Sequence, residues 1–182
     1  KEAEDMLREV KRLIDRIKKV LEDVLKAIEE LIRRLEDIHR KVNEDSERLT
    51  EDLKRTIGTE RDEAREVLKR LEDLNREIRK RSEEVKRELR KVLEDARKRL
   101  EEIERELEEM LRRLEREVEK GTSKEKIEEL LRRVEELIRR IEEEVRKLLE
   151  DVERKIRESV KEAEELLRRS KKEIERVKRE DT

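Results

Sequence analysis

The sequence contains no cysteine, proline, phenylalanine, tyrosine or tryptophan, and only two glycines and one histidine in 182 residues. Without cysteine there can be no disulfide, no thiolate metal site and no cysteine nucleophile. The two signs of charge are almost balanced, 54 Lys and Arg against 56 Asp and Glu. No basic field is left to attract a phosphate backbone, and no acidic tail to mimic one, so nucleic acid is not an expected partner. No apolar run approaches the roughly 18 residues of a membrane span. The opening residues Lys1, Glu2, Ala3, Glu4 and Asp5 lack the charged-then-apolar layout of a secretory signal. The expectation is a soluble protein without a targeting signal, suited to recombinant cytoplasmic expression.

Charged residues instead make up 60% of the chain and hydrophobic ones 31%. Long helices, coiled coils and some disordered chains share that profile. Disorder goes with high net charge and no apolar periodicity; here the net charge is −2 and the apolar residues recur regularly. The two glycines, Gly58 and Gly121, cut the chain into three segments of nearly equal length. Glycine favours the position just past a helix C-terminus because it adopts the left-handed conformation there without strain. Each glycine is followed by a hydroxyl residue, Thr59 or Thr122, able to cap the next helix. Thr122 stands three residues before Glu125, which is capping-box spacing, and Thr59 three before Asp62. Loops this short join antiparallel neighbours. The predicted fold is therefore all-α: one domain over 1–182, an up-down-up bundle of helices at about 2–57, 60–120 and 123–180.

The apolar residues follow a heptad. Ala3, Val10, Ile17, Val24, Leu31 and Ile38 step by seven, accompanied by Leu7, Ile14, Leu21, Ile28, Leu35, Val42 and Leu49. The first series then meets Asp45 and Asp52, while Ser46 and Leu53, one residue on, fall where the core should be. In the second segment Ala64, Leu71, Ile78, Val85 and Val92 meet Arg99 and resume at Leu100, Leu107 and Leu114. In the third, Ile127, Val134, Ile141 and Leu148 meet Lys155, with Ile156 and Ala163 taking over. A straight helix drifts about 20° per heptad, so five heptads accumulate about one residue. The shift predicts nearly straight helices with weak left-handed supercoiling.

Against this regular background the polar residues in core columns stand out. His39 and Ser46 lie in the column Leu25, Ile32, Leu53, with Asn43 and Thr50 on the adjoining flank; Asn75 and Ser82 lie in line with Leu68 and Leu89; Ser159 falls between Val152 and Leu166, and Ser170 between Ala163 and Val177. Folding the chain at its glycines places His39, Asn43, Ser46, Asn75 and Ser170 at one level, and Ser82 with Ser159 at another. Buried polar groups persist only when hydrogen-bonded, and such a set can fix helix register. As a lone histidine without convergent partners, His39 is expected to be structural, with its pKa lowered by burial. No phosphate loop, nucleophile–base pair or metal spacing is present, so neither catalysis nor a cofactor is expected. The charge runs read as solvated faces with opposite charges three or four residues apart.

A Leu, Ile and Val core, a Glu, Arg and Lys surface, Gly-Thr turns between helices of matched length, and clustered Asn, Ser and His together resemble a de novo designed helical bundle with buried hydrogen-bond networks. The resemblance covers the whole chain and implies a scaffold, an assembly component or a switch module with no natural substrate. Spectrin-type repeats resemble it in topology alone, having shorter helices and core aromatics. The leading expectation is a structural scaffold requiring no partner. The second is a module that binds its own copy or a designed helical partner, motivated by the wide apolar stripe on the first half of helix 1, where Met6-Leu7, Leu13-Ile14, Val20-Leu21, Val24-Leu25 and Leu31-Ile32 are adjacent.

Overall fold

Glu, Arg, Lys and Leu are strong helix formers, and no proline interrupts any segment. Acidic residues occupy the first turn of each helix and basic residues the last, which favours the helix dipole at both ends. The computed structural model describes residues 2–58 and 61–180. Three helices, α1 (Glu2–Ile57), α2 (Asp62–Glu119) and α3 (Lys124–Glu180), pack against one another as an up-down-up bundle.

Both glycines have positive φ, 76° at Gly58 and 68° at Gly121, and they close their helices differently. Gly58 N–H donates to the Lys54 carbonyl at 3.1 Å, a single bond spanning the last turn. At Gly121 two bonds form, Gly121 N–H to Val118 O and Thr122 N–H to Glu117 O, both 3.2 Å. This is a Schellman closure, and it draws Thr122 into the end of α2. The cap of α3 is accordingly Ser123, whose carbonyl accepts Lys126 N–H at 3.1 Å and Ile127 N–H at 3.4 Å. The expected capping role of Thr122 is corrected: its hydroxyl turns back to Glu117 Oε2 at 2.5 Å. That bond is the main reason the Glu117 carboxyl is held below its usual range. Thr59, the other expected cap, lies outside the described residues. The first α2 bond runs from Arg65 N–H to Arg61 O at 3.1 Å, so α2 starts two residues later than expected.

The described residues group into two compact units, and each helix contributes to both. In the unit drawn from 1–29 and 91–151, the core includes Val10, Ile14, Leu107, Leu114, Val134 and Ile141, each at most 2% exposed. In the unit drawn from 30–90 and 152–182, Val42, Ile78, Ala163 and Leu166 form one apolar cluster. Leu53, Val67, Leu68, Leu71, Ile174 and Val177 form another.

Burial follows the one-residue shift read from the heptads. On α1, Val10 and Ile17 are buried, Val24 and Leu31 half-buried and Ile38 exposed, while Ile32, His39, Ser46 and Leu53 take over the interior. On α2 Arg99 is exposed, and Leu107 and Leu114 are buried instead. The rims carry ion pairs in regular register. Lys11–Glu115, Lys18–Glu108, Arg97–Glu29, Arg90–Glu36, Arg79–Glu47 and Lys54–Glu72 join α1 to α2. Lys126–Glu117, Arg99–Glu144, Arg81–Glu162 and Arg70–Glu173 join α2 to α3. Such exposed pairs contribute at most about 1 kcal/mol each, so they report register more than stability.

Two substitutions probe these features. Gly121→Ala meets no atom within 4 Å but retains a left-handed φ; it is expected to cost about 1–2 kcal/mol in urea unfolding. Leu107→Ala, at a site with no exposed surface, is expected to cost about 2–5 kcal/mol in the same measurement.

Candidate functional site

The polar side chains of the interior all lie in the unit drawn from 30–90 and 152–182. His39, Ser46, Thr50, Ser159 and Ser170 are buried, whereas Asn43, Asn75 and Ser82 are half-buried. All but Asn43 and Thr50, which lie on the flank of such a column, sit in helical columns that otherwise carry apolar residues, so packing brings them inside and hydrogen bonding must satisfy them there.

One group joins α1 to α2. Ser46 Oγ donates to Asn75 Oδ1. Asn75 Nδ2 donates to Thr50 Oγ1 at 3.1 Å, and Thr50 Oγ1 donates to the Ser46 carbonyl at 3.0 Å. The amide of Asn75 thus spans one turn of α1, holding two hydroxyls four residues apart. Apolar side chains flank this group along the helices, Val42 and Ile78 on one side and Leu53 and Leu71 on the other. Ser170, 1% exposed, turns its hydroxyl to the Leu166 carbonyl of its own helix at 3.3 Å. Thr50 was readable only as a flanking residue, although its spacing of four from Ser46 was the available signal.

The other group joins α1 to α3. His39 Nε2 and Ser159 Oγ lie 2.9 Å apart, the direction of donation depending on the imidazole tautomer. Asn43 and Ser82 share a cleft of about 350 Å³ with His39. Ser82 Oγ donates to the Ile78 carbonyl at 2.7 Å, and Asn43 Oδ1 is buried without a hydrogen-bond partner. The levels therefore differ from those expected. His39 meets Ser159, and shares its cleft with Ser82, where Asn75 and Ser170 were expected. The ion pairs give the reason. All six α1–α2 pairs are reflected about position 63, and the α2–α3 pairs about 121 to 122. Folding at Gly58 misplaces α2 by ten residues, because moving the point of reflection by five moves the facing residue by twice as much.

The chemistry available here is limited. Among the described residues, no three His, Asp or Glu side chains are grouped to hold a metal. Charged groups rim the cleft, Glu36, Asp37, Arg40 and Glu44 from α1 with Glu83 and Lys86 from α2. Near Ser159, α2 and α3 present Lys155, Glu158 and Glu162 beside Arg81 and Glu84. Burial lowers the His39 pKa from 6.5, partly offset by a main-chain hydrogen bond at Ser159. Burial favours the neutral ring, and its stabilising contribution is complete above the ordinary value. It is lost as pH falls through 6.5 towards the folded-state pKa.

Unfolding midpoints at about pH 7.5 and about pH 5 should show a larger loss for the native chain than for His39→Gln; equal losses would remove the role given to the imidazole. Asn75→Ala strands the Ser46 hydroxyl in a buried setting and is expected to cost about 1–3 kcal/mol by chemical denaturation.

Compared with known proteins, the chain matches no family model, no curated protein and no solved structure.

Proposed function

We propose that this chain is a structural scaffold of designed origin, with no natural substrate and no catalytic activity. Leu, Ile and Val columns supply its stability, and a few buried polar residues specify which helix faces meet. The observation that carries this reading is how the interior polar atoms are used. Ser46, Thr50 and Asn75 bond to one another, and His39 to Ser159, so these groups hold helices to helices. An apolar core alone tolerates neighbouring registers, because a heptad shifted by seven residues buries the same kind of surface. A hydroxyl or amide displaced by such a shift loses its partner at about 1–3 kcal/mol, and that penalty selects one register.

The second expected reading, a module that pairs with a helical partner, is favoured by one observation: Val20 and Ile38 on α1 are exposed. It is compatible with a scaffold, since a bundle can hold its own register and still present a face.

The scaffold reading is tested by replacing the polar group with apolar residues, Ser46→Ala, Thr50→Val and Asn75→Leu together. The variant is expected to match or exceed the native thermal midpoint, because burying apolar surface avoids desolvation of polar atoms. It is also expected to lose uniqueness, with amide resonances split or broadened near α1 and α2. A variant that keeps one sharp set of resonances would remove the specifying role.

A further inference from the structure

Charge is balanced over the whole chain, at a net −2, but it is not balanced everywhere. Beside the Gly121 turn, a cleft of about 290 Å³ lies between the end of α2 and the start of α3. Arg113, Arg116 and Lys120 line it from α2, and Lys126 and Arg133 from α3. Its acids are two, Glu117 and Glu129, so the cleft carries an excess of three positive charges. All of these residues belong to the unit drawn from 1–29 and 91–151.

Register explains the excess. Arg113, Arg116 and Lys120 recur at intervals of three and four residues, so they share one face of α2. With α2 and α3 reflected about 121 to 122, Arg113 falls opposite Leu130 and Arg133 opposite Met110, so neither meets an acid across the seam. Among the described residues, Arg113, Arg116 and Lys120 form no ion pair. Both acids are already engaged. Glu117 accepts the Thr122 hydroxyl and lies 3.8 Å from Lys126 Nζ, and Glu129 lies 3.2 Å from the Arg133 guanidinium. The Thr122 hydroxyl first, then Lys126 and Lys120, hold the Glu117 carboxyl below its usual range, as a positive field should. The Schellman closure joins the two walls within a few residues, so the backbone of the cleft is preorganised.

We infer that this cleft binds a small, multiply charged oxyanion of the oligophosphate class. Guanidinium groups stand on both walls, Arg113 and Arg116 on α2 and Arg133 on α3, and their paired N–H donors match phosphate oxygens. The ligand brings the negative charge that neither helix supplies. Glu106 and Glu109 follow on the same side of α2, so the basic surface ends with the cleft and suits a small anion, not an extended strand. The inference goes beyond the scaffold reading and does not rest on it.

Isothermal titration calorimetry of the full chain with inorganic pyrophosphate at low ionic strength is the test. Saturable binding is expected, with a dissociation constant of about 0.1–1 mM, weakening several-fold when sodium chloride is raised to about 200 mM. Arg113→Gln with Arg116→Gln should raise that constant at least about tenfold, because charge-assisted hydrogen bonds are lost. Both side chains are exposed, so helicity by circular dichroism should not change. Arg33→Gln with Arg34→Gln removes the same charge from exposed positions of the other unit and should leave the constant within about twofold. Absence of saturable heat up to about 5 mM pyrophosphate overturns the inference. Equal weakening by the two double variants assigns the effect to overall charge and overturns it as well.

Discussion

Everything in this protein depends on burying one apolar stripe per helix between two neighbours, using only aliphatic side chains. Three helices with no aromatics and few small residues have one way to remove Leu, Ile and Val from water, which is to face each other along their length. The mismatch between a seven-residue repeat and a helix of 3.6 residues per turn then sets the pattern. The buried column on α1 cannot remain Val10 and Ile17; it must pass to Ile32, His39, Ser46 and Leu53. His39 and Ser46 are interior because the shifted column carries them there.

That constraint also explains why the two units differ. The unit at the Gly121 turn has an aliphatic interior around Ile14, Leu107 and Val134. The unit at the Gly58 turn divides its apolar residues into clusters, with Ser46, Thr50 and Asn75 between Val42 and Leu53. Oily contacts are non-directional and admit several registers, whereas hydrogen bonds are directional and admit one. A bundle built on both gains stability from the first and a single register from the second. Asn43 Oδ1, buried and unpartnered, shows that not every interior polar atom is matched.

The sequence by itself determined the fold class, the number of helices, their bounds to within two residues and the shift of the buried column. These follow from glycine placement, the absence of proline and aliphatic periodicity, which act within about one helical turn of each residue. It also placed His39, Ser46, Ser159 and Ser170 in interior columns, because the columns are a property of each helix alone. Which polar residues meet was decided only by the tertiary structure. Pairing His39 with Ser159, and Asn75 with Ser46 and Thr50, requires the height of one helix against another. The α1–α2 ion pairs reflect about position 63, not Gly58, and the Schellman closure at Gly121 gave the cap of α3 to Ser123 in place of Thr122. A loop's path is set by contacts between the helices it joins, so no local pattern records it.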